Sequence, residues 1–231
     1  MIRSPEAHHR YLAGKEPVFA RIIAEHGLQN PFAWHDGGRT GSAKFPALFL
    51  HILSQRINAA GSFTLYDRTA QALSGTPTAA GLRSLGLAQL RGFGLSETKA
   101  ACALTLATAQ CDGDIDVEHM EDLSDAEVVS ALTAFKGLGV WSAQAFLMRQ
   151  LKRPDVLPAS DAGIRQALKR NWGTSKPPTQ GEVRRMSEAW SPSRSYAATL
   201  LWRSLKPAGE AYDPKERALL AAAARPARHE H

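Results

Sequence analysis

Cysteine is nearly missing from this chain. The two present, Cys102 and Cys111 in 231 residues, cannot build a disulfide framework. They also fall short of the four thiolates that hold an iron–sulfur cluster. They read instead as small buried hydrophobes of a reducing compartment. Long apolar runs are missing too. The longest, "FPALFLHIL" from Phe45, is well short of the ~20 residues of a membrane-spanning helix. The opening "MIRSPEAHHR" has no apolar core of the kind a signal peptide carries. Together these point to a cytoplasmic protein with no membrane partner. No segment alternates apolar and polar residues long enough to make a strand. There is no internal repeat and no linker long enough to separate independent domains.

What the chain does have is charge and helical periodicity. Lys and Arg total 28 against 22 acids, for a net +6 and a pI near 9.5. That balance leans towards a polyanionic partner, though many basic proteins bind none. Apolar residues recur at helical spacing. Val18, Ile22 and Ile23 share a face that Gly27 ends, and Phe45, Leu48 and Ile52 make a second stripe. Pro77, after Thr76, suits a helix start and Gly86 a helix end. Ser96 caps a helix through Lys99, Ala103 and Leu106. Ser124 with Glu127 and Thr179 with Glu182 match the capping box. Ser191-Pro192 begins a last strong helix with Leu200, Leu201 and Trp202. The reading is an all-α protein of about eight to eleven helices. It forms one domain over 1–231, large enough for two interleaved helical subdomains. Irregular segments are expected at 34–44, 111–116 and 173–178, with a basic tail over about 214–231.

One corner stands out. A helix from Ser124, with Val128, Leu132 and Phe135 on its apolar face, is followed by another from Val140 to about Leu151, and only "KGLG" lies between. So tight a hairpin, over about 124–151, needs backbone angles most residues avoid, which Gly137 and Gly139 supply. Leu138 points inwards and pins the corner. Bare amides at the start of the second helix suit a phosphate. An ordinary helix hairpin with a glycine cap fits the same residues. A second glycine pair, in "LRGFGLSETKAA", repeats the pattern, and Asp116 lies as far beyond Gly94 as Asp161 lies beyond Gly139.

Three elements in order carry a resemblance. "FKGLGVWSA" resembles the helix–hairpin–helix signature of DNA glycosylases, and "LPASDAGIRQAL" the segment bearing their essential aspartate. "AWSPSRSYAATLLW" is similar to the W-x-P-x-R-S-x-A-x-x-x-x-W stretch of the 3-methyladenine DNA glycosylase II, or AlkA-like, branch. With "FPALFLHILSQRI" and "GLSETKAA" upstream, the likeness runs from about Phe45 to Trp202. It implies the helix–hairpin–helix glycosylase fold, two helical subdomains with the active-site cleft between them, without the N-terminal β-domain of larger members.

The resemblance also assigns roles. Asp161, by its own surroundings a helix N-cap, matches the catalytic carboxylate. Trp141 stands where strand-cutting members have a Schiff-base lysine, which implies a monofunctional enzyme; Lys136 does not match that position. Trp141 and Trp202 fall at pocket aromatics, where an indole face attracts a flipped cationic base, although core packing also suits Trp202. Ala145, one turn after Trp141, replaces a tyrosine of some members and implies an open pocket unless Phe32 or Trp34 fills it. Gly137, Leu138 and Gly139 would meet the DNA backbone. Gln55 and Arg56 match the duplex wedge, with Ile57 the neighbouring candidate. Arg194 reads as structural before ligand-facing, and Gln144 and Arg149 as facing phosphate or solvent. No organic cofactor and no side-chain metal site is implied, only one sodium or potassium ion at the hairpin carbonyls. The expected partner is double-stranded DNA with damaged bases, bound by a monomer. The expected reaction is hydrolysis of the N-glycosidic bond of alkylated bases. A glycosylase for uracil, mismatches or oxidised bases, and a non-catalytic helix–hairpin–helix DNA-binding module, are the alternatives.

Overall fold

The computed structural model describes residues 4–224. Among them there are twelve α-helices, one 3-10 turn and no strand. The all-α expectation holds, with one helix more than the upper count. The N-terminal region makes two helices, α1 (Pro5–Lys15) and α2 (Pro17–His26), each opened by a proline at its first position. A proline has no amide to leave unpaired there. Gly27, at φ 73°, ends α2. No helix among the described residues is long and apolar enough to cross a membrane.

The chain divides into two compact units. The first comprises Met1–Trp34 and Gln144–Tyr212, the second His35–Ala143 and Asp213–His231. The division falls inside α8 (Val140–Arg149).

The first unit holds α1, α2, the later part of α8, α9 (Ala162–Trp172), α10 (Gln180–Glu188) and α11 (Arg194–Arg203). Its centre is aromatic. Trp190 and Phe19 are fully buried and meet edge to face at 5.1 Å. Tyr196 on α11 stacks on His8 at 4.2 Å and meets His9 edge-on. Burial pushes both imidazoles towards their neutral forms. Thr179 and Glu182 make the predicted capping box of α10. Ser191-Pro192 does not open α11; that peptide is cis, and the helix starts at Arg194. Asp155 organises the start. It accepts from Ser191 Oγ at 2.7 Å and takes the Arg194 guanidinium through two bonds of 2.8 Å. Burial raises the Asp155 carboxyl, but the hydrogen bonds from Arg194 and Ser191 outweigh it and leave it below the ordinary value. Arg194 is therefore structural.

The second unit holds α3 (Lys44–Ser54), α4 (Ala59–Ala72), α5 (Ala79–Gly92), α6 (Glu97–Asp112), the 3-10 turn Val117–His119, α7 (Asp125–Thr133), the start of α8 and α12 (Pro214–Ala223). Thr78, two residues later than expected, caps α5, and Gly86 at φ 70° breaks α5 rather than ending it. Helix α3 is buried almost all round and packs on α4 and α6. Its N-cap residue, Ala43, has no side chain to offer; the Glu118 carboxylate accepts from the amides of Lys44 and Phe45, each at 2.8 Å. At its other end the Lys99 ammonium donates to the Leu53 carbonyl at 2.7 Å, and burial lowers that lysine's pKa. The predicted irregular segment 34–44 is ordered by Asp36, which accepts from the amides of Gly38 and Thr40 and from the Thr40 hydroxyl. Residues 225–231 of the predicted basic tail lie outside the described residues.

Candidate active site

The hairpin forms as expected in outline. Ser124 and Glu127 make a capping box at the start of α7, with Val128 and Leu132 buried below. Leu138 is 3% exposed and pins the corner. The two glycines differ, which corrects the expectation that both supply unusual angles. Gly137 has φ 107°, and a β-carbon there would lie 3.0 Å from Cys102 Sγ. Gly139 has no such φ, and a β-carbon on it would meet nothing within 4 Å. Gly137 thus closes the turn against α6, while Gly139 leaves space in front of α8. Burial pushes the Cys102 thiol up to about 11, and its side chain packs beneath the turn.

The turn after α3 reaches the hairpin. Gln55 Nε2 donates to the Gly137 carbonyl at 2.9 Å. Arg56 follows, exposed and at φ 57°. A side-chain-bearing residue is strained there, by about 1–3 kcal/mol. Ile57 is 40% exposed, and Asn58 then caps α4. The structure therefore joins Gln55 to the corner and leaves the side chain of Arg56 in solvent. Trp141, on the first turn of α8, is 40% exposed and stacks on His51 of α3, with ring centres 5.3 Å apart and planes 28° apart.

In the first unit, Asp161 caps α9. Its Oδ1 accepts from the Ile164 amide and from Trp202 Nε1, each at 2.8 Å. Trp202 is half-buried on α11, which packs against α9. The acid and the tryptophan assigned by resemblance are thus hydrogen-bonded partners. Ala145 is half-buried on α8, one turn beyond Trp141. Phe32 packs edge-on against Tyr196 at 5.7 Å. Gln144 and Arg149 turn inwards, which corrects the expectation that they face phosphate or solvent. Gln144 donates to the Leu157 carbonyl at 3.3 Å, and Arg149 donates to the Ala33 carbonyl.

Cys102 is buried as the sequence suggests, but its place beneath Gly137 is not legible there, nor are the contacts of His51, Lys99 and Gly163. Only Gly163 leaves a local signal, as a glycine in the first turn of a helix, where alanine is the better helix former. Among the described residues no cluster of His, Cys, Asp or Glu could hold a metal ion. The hairpin carbonyls are a different donor set. Those of Gly137 and Gly139 each accept one bond, from Gln55 and from the Ala143 amide, and each keeps a second lone pair. Hard oxygens of this kind suit sodium or potassium.

Comparisons with known proteins show the family and the fold. Residues 50–192 match the family model described as HhH-GPD superfamily base excision DNA repair protein. The chain is 29% identical over 202 residues to DNA-3-methyladenine glycosylase 1 of Schizosaccharomyces pombe, covering 85% of this chain and 86% of that one. It is 27% identical over 162 residues to a Bacillus subtilis protein provisionally named as a DNA-3-methyladenine glycosylase, covering 67% of this chain but only 56% of the relative. A solved Schizosaccharomyces pombe 3-methyladenine DNA glycosylase in complex with abasic DNA superposes with a TM-score of 0.72 at 26% identity, covering 88% of this chain and 98% of that one.

Proposed function

Because the chain belongs to the HhH-GPD superfamily of base excision DNA repair proteins, we propose that it is a monofunctional DNA glycosylase. It hydrolyses the N-glycosidic bond of alkylated bases in double-stranded DNA, 3-methyladenine and 7-methylguanine among them, and leaves an abasic site. It would act in the cytoplasm, as a monomer and without an organic cofactor. The observation that carries this reading is the carboxylate of Asp161, fixed at the start of α9 by the Ile164 amide and the Trp202 indole N–H.

In the proposed reaction the damaged base is rotated out of the duplex. As its bond to the sugar lengthens, positive charge grows on C1′, and the Asp161 carboxylate stabilises it. At ~3.5 Å and an effective dielectric near 20, the attraction is about 5 kcal/mol, or between three and four decades in rate. The base departs neutral with the bonding electron pair, and water adds to C1′ and gives up a proton to solvent. An alkylated base is cationic and leaves readily, so no general acid is required of the protein. The exposed indole of Trp141, backed by His51, would stack on the flipped base and attract its charge, worth about 0.5–2 kcal/mol. Arg56 at the turn after α3 would fill the gap left in the stack. The open space at Gly139 would admit a DNA phosphate to the first amides of α8. The carbonyls of Gly137 and Gly139 would hold a monovalent cation, whose charge would face that phosphate. The small Ala145 would leave room for lesions of different shape.

The test is to incubate purified protein with methylated DNA and identify the released bases. Release of 3-methyladenine and 7-methylguanine is expected, and no release would overturn the reading. Release of uracil or oxidised bases alone would move it to another lesion class. Borohydride should trap no covalent protein–DNA adduct, because Trp141 stands where a Schiff-base lysine would be.

A further inference from the structure

We infer that Gly163 is a positioning residue for the carboxylate of Asp161, an inference that rests on the catalytic role proposed for that acid. Gly163 is the second residue of α9. Helix propensity does not favour glycine there, and its φ lies outside the left-handed range. Space is what requires it. A β-carbon built on Gly163 would lie 3.0 Å from Asp161 Oδ1, 3.2 Å from Trp202 Cδ1 and 3.4 Å from Trp202 Nε1. The first and last of these atoms are the two ends of one 2.8 Å hydrogen bond.

Carbon–carbon contacts settle at about 3.5–4.0 Å, so a methyl group would displace the carboxylate, the indole or both. Neither can retreat without loss. Oδ1 also accepts from the Ile164 amide, so turning the carboxylate away breaks the helix cap. The indole hangs from α11, where neighbouring Leu200 and Leu201 are fully buried. Swinging the ring away from α9 therefore breaks the Nε1–H bond and leaves the backbone where it is. A single hydrogen at position 163 lets acid and indole close against the helix start. The neighbours would have to give by a few tenths of an ångström, and because displacing a reacting group by ~1 Å can cost about a hundredfold in rate, even that smaller shift would be felt in the chemistry as well as in the packing.

The test uses protein labelled with 5-fluorotryptophan. The chain has five tryptophans, and Trp202→Phe assigns the ¹⁹F resonance of Trp202. Gly163→Ala should shift that resonance and lower the single-turnover release of 7-methylguanine several-fold, up to about 10-fold. Affinity for abasic-site DNA should stay within about twofold, because the substitution is aimed at the acid and leaves the hairpin untouched. In the Trp202→Phe background the indole N–H bond is already lost while the 3.0 Å approach to Asp161 Oδ1 remains, so adding Gly163→Ala should slow release by no more than it does alone. An unmoved Trp202 resonance overturns the inference, and so does release at the wild-type rate. If Gly163→Ala does not fold alone, the Trp202→Phe background must accept it; failure in both overturns the inference as well. If the unsubstituted enzyme releases no methylated base, the functional reading fails, while the resonance still decides whether Gly163 sets the place of the indole.

Discussion

The chain turns the same kind of corner twice, once at Gly92-Phe93-Gly94 and once at Gly137-Leu138-Gly139, and puts the two to different uses. Each contains one left-handed glycine, Gly94 at φ 104° and Gly137 at φ 107°, facing a side chain of another helix. In each a carbonyl is taken by a distant side chain: Phe93 by Arg68 at 3.2 Å, Gly137 by Gln55 at 2.9 Å. The helix starts differ. After Gly94 comes Leu95, buried, then Ser96, whose hydroxyl accepts from the Lys99 amide and closes the end of α6. After Gly137 comes Leu138, buried likewise, but the residue before α8 is Gly139, which has no side chain to offer. Counted from the left-handed glycine the two corners run in step, and the exchange of Ser96 for Gly139 separates a self-capped helix from one whose first turn has open space before it. The aspartates at equal distance differ likewise. Asp116 is exposed and pairs with His119 at 2.9 Å, whereas Asp161 is joined to the Trp202 indole.

The largest test of this contrast exchanges the acids for amides. Asp161→Asn keeps an oxygen for the Ile164 and Trp202 donors, and asparagine caps helices well, so the fold should persist. Excision should fall by about three to four orders of magnitude, while Asp116→Asn should leave it unchanged in the same single-turnover assay. Equal effects, or none at Asp161, would break the comparison. Next come the left-handed glycines. Alanine at either should lower stability by about 1–3 kcal/mol, measured by urea unfolding. Gly137→Ala should be the worse, because it meets the Sγ and Cβ of Cys102, while at Gly94 the nearest atom is the flexible end of Leu65. The smallest effects are the most diagnostic. Ser96→Ala should cost about 1 kcal/mol of stability with no change in DNA affinity. Gly139→Ala should do the reverse, keeping the unfolding midpoint and weakening binding to every DNA sequence by a similar few-fold, about the worth of one hydrogen bond. Dependence on sequence would count against a backbone contact.

Local chemistry made much of this legible. Capping residues announced α6, α7 and α10, because a cap is decided within four residues. Leu138 and the N-cap position of Asp161 were readable for the same reason. The roles of Asp161 and Trp141 came from resemblance, since by spacing alone Asp116 stands in the same relation to its glycine pair. Features that depend on residues far along the chain were not legible. The sulfur beneath Gly137, the imidazole behind Trp141 and the indole on Asp161 are contacts made by the fold, and nothing near these residues in sequence announces them. The proline before α11 misled, because Asp155, 39 residues earlier, sets where that helix begins.

The capping of α3 by Glu118 bears on the order in which the chain becomes structured. The acceptor for the Lys44 amide lies 74 residues further on. Closing a loop of that length costs about 4 kcal/mol in chain entropy. Two charge-assisted hydrogen bonds, each worth about 1.5–3 kcal/mol, do little more than match it. The cap is therefore gained cheaply only once α4, α5 and α6 have already shortened the path between its ends. During synthesis the most buried helix of its unit would wait with an open end until residue 118 has emerged. A chain cut just ahead of that glutamate would keep every apolar residue of α3 and still leave its first turn frayed.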